Sequence, residues 1–309
     1  MSKLTRRVSV LAAGVFAAAI GVAPAAWAEV PESSDPIKLA VLEWTGQHVT
    51  TYMAGQILER MGYTVEYPTA GSYPSGQGTA DGDLTATLEV WDNNMGEYWP
   101  KVIEEGKVEN LGHVGLDGGE GFVYPKYVEE MCPGLPAWDA FVGCAELFAT
   151  PETLPNGRFV DYPADWGDRA TQLFRAQGLP FDAVPAGSEG ALVAELKSAV
   201  EKHEPVVLMF WAPHFILAQI EVGWVDMPED LRNEYSMQKP LMAKFVWSGM
   251  KDKWPAAYNL VKTFQIDTAT QQVLMDLVDN QGQDVREVTS KWLDEHEDVW
   301  RPWVDQAMM

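Results

Sequence analysis

Four tryptophans of this 309-residue chain follow short apolar stretches and are flanked by polar, proline or turn residues, which is unusual for core positions. They are Trp44 in "VLEWTGQ", Trp91 in "LEVWDNN", Trp166 in "PADWGD" and Trp211 in "LMFWAPH". The face of an indole ring offers apolar contact together with a negative quadrupole. Such faces suit a cation whose charge is spread over methyl groups and which has no N–H to donate.

Strands and helices alternate in the segments that must position these tryptophans. "IKLAVLEW" predicts a buried strand, and "HVTTYMAGQILERMG" predicts an amphipathic helix that ends at Gly62. "YTVEYPTA" predicts a second strand, and "DLTATLEVW" predicts a third after the glycine-rich "GSYPSGQGTADGD". The strand, helix, strand order indicates an α/β fold with parallel pairing.

The middle of the chain continues this alternation, and the end is helical. "FVYPKYV", "GRFVDYP" and the fully apolar "PVVLMFW" predict strands, the last of them central in a sheet. From about Pro255 onward the composition predicts helices. Ligands of open α/β sheets bind outside the carboxyl ends of strands. Trp44, Trp91 and Trp211 each stand at such an end, so we expect them to act together.

The first residues predict export. "MSKLTRR" is basic, "VSVLAAGVFAAAIGVA" is apolar, and "AWA" ends at Ala28, which predicts a signal peptide over residues 1–28. A retained membrane anchor is disfavoured because the apolar stretch is short of the ~20 residues that a span needs. The Arg6-Arg7 pair suggests twin-arginine export, but the following residues do not complete that pattern, which favours ordinary secretion. We therefore expect a periplasmic protein.

Charge and cysteine content limit the partners and the chemistry. The formal charge of −23 becomes −26 once the three cationic residues of the signal peptide are removed, which disfavours nucleic acid and anionic lipid as partners. Cys132 and Cys144 are close in sequence, and in an oxidising compartment such a pair predicts a disulfide. A thiol nucleophile or a metal site is the less favoured interpretation, because no histidine cluster accompanies the pair.

Several segments in order resemble the periplasmic substrate-binding proteins of ABC importers for glycine betaine, choline and related methylated amines. They are "LEWTGQHVTTYMAGQILERMGY", "ADGDLTATLEVW", "PAGSEGALVAELKSAVEKHEPVVLMFWAPH" and "WPAAYNLVKTFQI" with "VTSKWLDEHEDVW". The resemblance implies a two-lobed periplasmic binding protein fold (type II) with the ligand between the lobes. It also implies a permease in the inner membrane as partner. We expect a monomer without a cofactor, a metal site or a catalytic residue.

Domain boundaries follow from the same resemblance. Residues 29–36 would form a leader after the signal peptide, and residues 37–120 the first part of lobe 1. Residues 121–211 would form lobe 2, and residues 212–309 the hinge return and the C-terminal helices of lobe 1.

The resemblance assigns Trp44, Trp91 and Trp211 to an aromatic cage and Trp166 to a pocket position in lobe 2. It places Glu120 where some relatives carry a cage tyrosine. A carboxylate there would attract an onium group and repel the carboxylate of glycine betaine, so a trimethylamine N-oxide-like ligand is ranked first. Choline and glycine betaine stay open, because His214 and the amides of residues 44–46 could donate to a ligand oxygen.

Other tryptophans and other functions have simpler interpretations. Trp99 and Trp138 lie near prolines and are interpreted as loop packing, whereas the tryptophans from Trp254 onward are assigned to helix packing. The acidic "LDGGEG" and "DGD" do not have the spacing of a calcium loop. The alternatives are a secreted hydrolase using Asp92 with His214, which lacks any catalytic motif, and a carbohydrate-binding module, which would present its aromatic rings in a flat exposed row.

Overall fold

The computed structural model describes residues 30–96 and 98–309 and consists of two lobes, each with its own β-strands. The predicted signal peptide lies outside these residues. The strands are β1 (Ile37–Lys38), β2 (Val65–Glu66), β3 (Ala86–Trp91), β4 (Val108–His113), β5 (Gly119–Pro125), β6 (Pro133–Pro136), β7 (Gly157–Asp161), β8 (Phe181–Pro185), β9 (Val207–Ala212), β10 (Val222–Trp224) and β11 (Met242–Trp247). The helices are α1 (Thr45–Arg60), α2 (Ser72–Asp81), α3 (Tyr98–Glu104), α4 (Val128–Met131), α5 (Trp138–Gly143), α6 (Arg169–Gln177), α7 (Glu189–Lys202), α8 (Glu229–Glu234), α9 (Met250–Lys253), α10 (Pro255–Thr263), α11 (Thr268–Met275), α12 (Val285–Glu295) and α13 (Glu297–Ala307).

The described strands form three sheets, which differ in parallel and antiparallel pairing. Strands β1 and β2 pair in parallel, as do β7 with β8 and β7 with β9, in agreement with the predicted strand, helix, strand order. Strands β5 and β10 join the larger sheet antiparallel, in the order β10-β5-β9-β7-β8, so β9 is central as predicted. The sheet β3-β11-β4 of the first lobe is antiparallel throughout.

The chain passes between the lobes twice. It leaves β4 at His113 and enters the larger sheet at Gly119, and it returns between Trp224 and β11. The boundaries expected at residues 120 and 211 therefore need correction at both ends. Glu120 already belongs to a strand of lobe 2, and after residue 211 the chain stays with that lobe because β10 pairs with β5 at the edge of its sheet.

Helix α1 shows the predicted amphipathic packing. Its residues Val49, Met53 and Ile57 are buried in the core of the first lobe. The core of the second lobe is an aromatic cluster, in which the ring of Phe122 contacts those of Phe141, Phe159 and Phe174. These two cores hold the inner ends of the strands in place, and those ends carry the site.

Helix α2 was not predicted, because its sequence "SYPSGQGTAD" contains proline and two glycines, which have low helix propensity. Tertiary contact explains it. A Cβ atom on Gly76 would lie 3.0 Å from the ring of Tyr98 and 3.2 Å from that of Trp99, so the small residue lets α2 pack closely on α3. The buried Ser75 and Thr79 donate to backbone carbonyls within the helix. Packing has overridden local propensity here.

Cys132 and Cys144 form the predicted disulfide, with their Cα atoms 6.0 Å apart. It links the end of α4 to the end of α5 on the second lobe. Within the described part of the chain, none of the helices has the length and apolar character needed to cross a membrane.

Candidate functional site

One cavity between the lobes collects five of the six residues predicted for ligand binding. Trp44, Trp91, Glu120, Trp166 and Trp211 all line it, whereas His214 does not. The full lining consists of Leu42, Trp44, Ser72, Tyr73, Ser75, Val90, Trp91, Asn94, Met95, Trp99, Glu120, Tyr162, Trp166 and Trp211. The lining is mostly apolar and aromatic, with few polar groups, as is usual for small-molecule sites.

Four aromatic rings of this cavity contact one another edge to face. The ring centre of Trp166 lies 5.6 Å from that of Trp44, 5.4 Å from that of Trp211 and 5.5 Å from that of Tyr162. The Tyr162 and Trp211 rings are 5.6 Å apart. Edge-to-face pairs at these distances are favourable, and they leave ring faces at different angles around one space. Trp166 joins Trp44 of the first lobe to the rings of the second.

The ends of strands and helices position these side chains. Trp44 immediately precedes α1, Trp91 is the last residue of β3, and Trp211 lies one residue before the end of β9. Trp166 closes a short 3-10 turn at Ala164–Trp166, shortly after β7. The backbone oxygen of Trp166 accepts a hydrogen bond of 2.9 Å from Asn94 of the first lobe.

Two aromatic residues of the lining were not assigned to the site from the sequence. Trp99, interpreted as loop packing, lines the cavity and also stacks on Phe245 with ring centres 4.7 Å apart. Tyr162 was not singled out, although it follows β7 in the segment that holds Trp166. Its position near the end of the predicted strand "GRFVDYP" is the same signal that identified the other residues. Trp138 packs on Phe122 and Phe141 and does not line the cavity.

Glu120 faces the cavity but is paired with Arg169 of α6. Its two carboxylate oxygens accept from the two guanidinium nitrogens at 2.5 and 2.8 Å. The Glu120 side chain is 3% exposed and the Arg169 side chain is 12% exposed, so this is a nearly buried bidentate pair. The side-chain amide of Asn93, which belongs to the first lobe, donates a hydrogen bond of 2.5 Å to the same carboxylate. The expected attraction between Glu120 and an onium group is therefore balanced in large part by the cation beside it.

The same pair influences two neighbours at the end of β7. Burial raises the pKa of Asp161 to about 6. The hydrogen bond that the Tyr162 amide donates to Asp161 and the positive charge of Arg169 oppose this shift. Burial and the nearby Glu120 raise the pKa of the Tyr162 phenol well above its usual range. Tyr162 therefore presents a neutral phenol to the cavity at physiological pH.

His214, predicted as a ligand donor, lies behind the cage instead. It is fully buried, and its ring contacts the Trp211 ring edge to face at 4.9 Å. One ring nitrogen bonds Glu189 at 3.1 Å, and the other accepts from the Ile216 amide. Both nitrogens are thus occupied by the protein, so His214 supports Trp211 and does not contact the cavity.

Glu189 also explains why the amide of Thr45 is not free for a ligand. The second oxygen of Glu189 accepts from that amide at 2.9 Å, at the start of α1. A carboxylate at the N-terminus of a helix is favourable, because the amides there lack partners within the helix. Since Glu189 begins α7 of the second lobe and Thr45 belongs to the first, this hydrogen bond joins the lobes.

Metal binding has little support here. Among residues 30–96 and 98–309, no group of three or more histidine, cysteine or acidic side chains is arranged to hold a metal ion.

One polar atom of the cage has no hydrogen-bond partner among the described residues, namely the buried indole nitrogen of Trp166. Leaving such a donor unpaired costs about 1–3 kcal/mol, so an acceptor atom in its reach would be favoured.

A family model matches most of the chain. The model of the OpuAC family, the substrate-binding domain of ABC-type glycine betaine transport systems, matches residues 35–295. The chain belongs to this family. OpuAC proteins bind solutes and are not enzymes, in agreement with the prediction.

Individual relatives support the same assignment along the whole chain. The chain is 28% identical over 319 residues to the trimethylamine N-oxide-binding protein of Pelagibacter ubique (strain HTCC1062), covering 98% of this chain and 99% of the relative. Its fold is similar to that of an ABC-transporter choline-binding protein in complex with choline, with a TM-score of 0.77, 17% identity, and 90% and 97% of the two chains covered. It is also similar to lactococcal OpuAC in its closed form with glycine betaine, with a TM-score of 0.73, 18% identity, and 89% and 100% covered.

These similarities confirm the predicted two-lobed type II fold of a periplasmic binding protein. As an OpuAC-family protein, the chain is the extracytoplasmic substrate-binding component of an ABC transporter, and the permease of that transporter is its partner.

Proposed function

We propose that this OpuAC-family protein captures one methylated amine in the cavity between its lobes and delivers it to the permease. The observation that supports the proposal is the convergence of Trp44, Trp91, Trp166 and Trp211 on one cavity from separate segments of both lobes. The protein would act as a monomer in the periplasm, with a mature chain that begins after Ala28.

The physical chemistry of an onium group fits these rings. Its charge is spread over methyl groups, so it cannot donate a hydrogen bond, and water solvates it poorly. Each desolvated contact with an aromatic face contributes about 2 kcal/mol. Three or four such contacts, after the cost of association, support a Kd on the order of micromolar.

The polar groups of the site favour a small ligand that carries an oxygen. Trimethylamine N-oxide combines the methylated cation with an oxygen acceptor, which could accept from the unpaired indole N–H of Trp166. The carboxylate of glycine betaine would approach Glu120, which is an unfavourable contact unless Arg169 shields it. We therefore keep trimethylamine N-oxide as the first candidate, in line with the relative of Pelagibacter ubique.

Titration calorimetry of the wild-type protein against trimethylamine N-oxide, glycine betaine, choline and carnitine tests the proposal. We expect saturable heat and a change in tryptophan fluorescence with at least one of them, with trimethylamine N-oxide binding most tightly. If all four ligands leave both signals unchanged while the protein is folded, the proposed function is wrong. Tighter binding of another ligand would correct the ranking alone.

The hydrogen bond between Glu189 and Thr45 leads to a second prediction. Replacing Glu189 by alanine removes this contact between the lobes and leaves the buried His214 without its partner. A hydrogen bond to a charged group is worth roughly 1.5–3 kcal/mol, so we expect an affinity at least about tenfold lower. Calorimetry measures the loss, and small-angle scattering should show a larger open fraction at equal ligand concentration.

Glu195→Ala is the matched control for this variant. Glu195 lies on the same helix but pairs with Arg158 of its own lobe, at 2.7 Å. This variant should bind ligand as the wild type does. Equal affinity of Glu189→Ala and wild type would show that the contact with Thr45 does not stabilise the closed form.

A further inference from the structure

Glu89 is a carboxylate in the middle of β3, two residues before Trp91, and the side chain is fully buried. One oxygen accepts from the indole N–H of Trp44 at 2.9 Å. The other accepts from the Thr50 hydroxyl at 2.5 Å and from the Gln271 amide at 2.7 Å. The Trp91 side chain approaches the same carboxylate and stabilises its charged form. The indole of Trp44 is thus held directly by this buried acid, and Trp91 lies near it.

The backbone at Glu89 is adapted to this placement. Its φ of +57° is the left-handed conformation that residues with a side chain seldom adopt. The pairing of β3 with β11 shifts register at this point, between Ala243 and Phe245, which is the pattern of a β-bulge. Strained conformations of this kind are retained where the surrounding structure requires them, and they are concentrated at functional sites.

We propose that Glu89 is a positioning residue of the ligand site, which orients the Trp44 ring and, as a carboxylate, strengthens the attraction of the cage for an onium group. This inference rests on the proposed function. A hydrogen bond from an indole N–H to an anion is charge-assisted, and it increases the electron density of the ring that faces the ligand. The buried negative charge acts directly as well, because the surroundings have a low dielectric constant.

Glu89 differs from Glu120 in how its charge is balanced. Glu120 forms a bidentate pair with the cation of Arg169. The partners of Glu89 in the described structure, Trp44, Thr50 and Gln271, are all neutral. The negative charge that a bound cation would experience therefore comes more from Glu89, behind the cage, than from Glu120 at its surface.

Burial raises the pKa of Glu89 to about 7, against the effect of its hydrogen bonds. The acid is thus close to half ionised at neutral pH in the free protein. A cation in the cage would favour the carboxylate and lower this pKa, so binding near pH 7 should release protons. A residue that merely fills space would show no such coupling.

Charged groups on the elements packed around Glu89 are engaged elsewhere. His48 of α1 bonds the Leu42 carbonyl at 2.7 Å, and Asp81 of α2 accepts from Gln77. Lys244 of β11 donates to the carbonyls of Lys262 and Phe264. Helix α11, which carries Gln271, has no titratable side chain.

Helix α1 also carries Tyr52, Glu59 and Arg60, and α2 carries Tyr73. The hydroxyl of Tyr67 meets Glu59 of α1 at 3.0 Å, and Tyr73 of α2 is half exposed at the cavity. None of these side chains forms a hydrogen bond with Glu89. A binding transition near pH 7 that is lost in Glu89→Gln can therefore be assigned to this acid.

The test measures affinity and proton release between pH 6 and pH 8. The probe is whichever of trimethylamine N-oxide, glycine betaine and choline binds wild type most tightly. We expect the wild-type affinity to fall by up to about tenfold from pH 8 to pH 6, as the ionised fraction falls. Calorimetry at pH 7 in phosphate and in Tris should report proton release upon binding. In Glu89→Gln the part of both effects that is centred near pH 7 should disappear. The contributions of Asp161 and Asp279, whose pKa values burial raises to about 6, remain in both proteins.

Two controls separate charge from shape. The uncharged carbon analogue of choline, 3,3-dimethylbutan-1-ol, should bind wild type and Glu89→Gln equally, since it carries no charge for the carboxylate to attract. The indole ¹⁵N–¹H signals of Trp44 and Trp91, assigned with Trp→Phe variants, should shift with pH near 7 in the ligand-free wild type and stay constant in Glu89→Gln.

The outcomes distinguish this inference from the proposed function. If wild type binds none of the probes, the proposed function fails, and the indole signals alone decide whether Glu89 is coupled to the cage. Wild-type binding without proton release, together with indole signals that do not titrate, would overturn the inference. Should Glu89→Gln fail to fold, the pH profile, proton release and indole titration of the wild type still decide it.

Discussion

Replacing Trp166 by alanine should reduce affinity for the methylated amine by about 100-fold or more. The variant loses one aromatic face of the cage, worth about 2 kcal/mol, and the edge-to-face contacts worth about 1 kcal/mol that stabilise the closed cage. Together these correspond to about two orders of magnitude in Kd. Trp166 has the largest expected effect because it contacts Trp44 of one lobe and Trp211 of the other.

Calorimetry with the ligand that binds wild type best checks this result, and thermal unfolding without ligand shows whether the fold is retained. Trp138→Ala is the matched control, since Trp138 belongs to the same lobe and packs on Phe122 outside the cavity. It should lower stability without changing Kd beyond a few-fold. A folded Trp166→Ala protein with wild-type affinity would remove this residue from the cage.

Replacing Glu120 by glutamine should weaken binding of cationic ligands by at least about tenfold and destabilise the protein by roughly 3 kcal/mol. Removing one partner of a buried ion pair is costly, since the remaining charge is left without compensation. Here the remaining charge is the guanidinium of Arg169 beside the cage, which repels an onium group. Glycine betaine should lose less affinity than choline, because its carboxylate can approach that guanidinium.

A double-mutant cycle provides the control for this prediction. Arg169→Gln leaves the carboxylate of Glu120 and should shift the preference between choline and glycine betaine in the opposite direction. The double variant, with two neutral amides, should recover much of the stability lost in either single variant. Equal losses for choline and glycine betaine in Glu120→Gln would show that the charge of this pair does not reach the ligand.

The positions of the cage tryptophans were predictable because strand ends are visible in sequence. A run of apolar residues that stops at Trp91 or Trp211 marks both a strand and its end. Strand ends of one sheet meet at one edge, so residues far apart in the chain can be expected to meet there. The same rule applied to "GRFVDYP" would have found Tyr162, which was overlooked next to Trp166.

The partners of the charged residues were not predictable. Glu120 and Arg169 are 49 residues apart, and nothing in either segment indicates that their side chains meet. The same is true of Glu189, whose two oxygens bond His214 and, 144 residues away, the Thr45 amide. Because of these contacts, the predicted donor His214 lies behind the cage and the predicted attraction of Glu120 is largely neutralised.

By itself, the sequence determined the succession of strands and helices, the disulfide, the family and the aromatic character of the site. These properties depend on residue type and on spacing along one segment, where periodicity and strand ends act locally. Only the tertiary structure decided where β10 pairs, why the glycine-rich α2 is helical, and which buried acids retain an unbalanced charge. The physical reason is that packing and the balance of buried charges depend on side chains brought together from distant segments, and their energies outweigh local propensity.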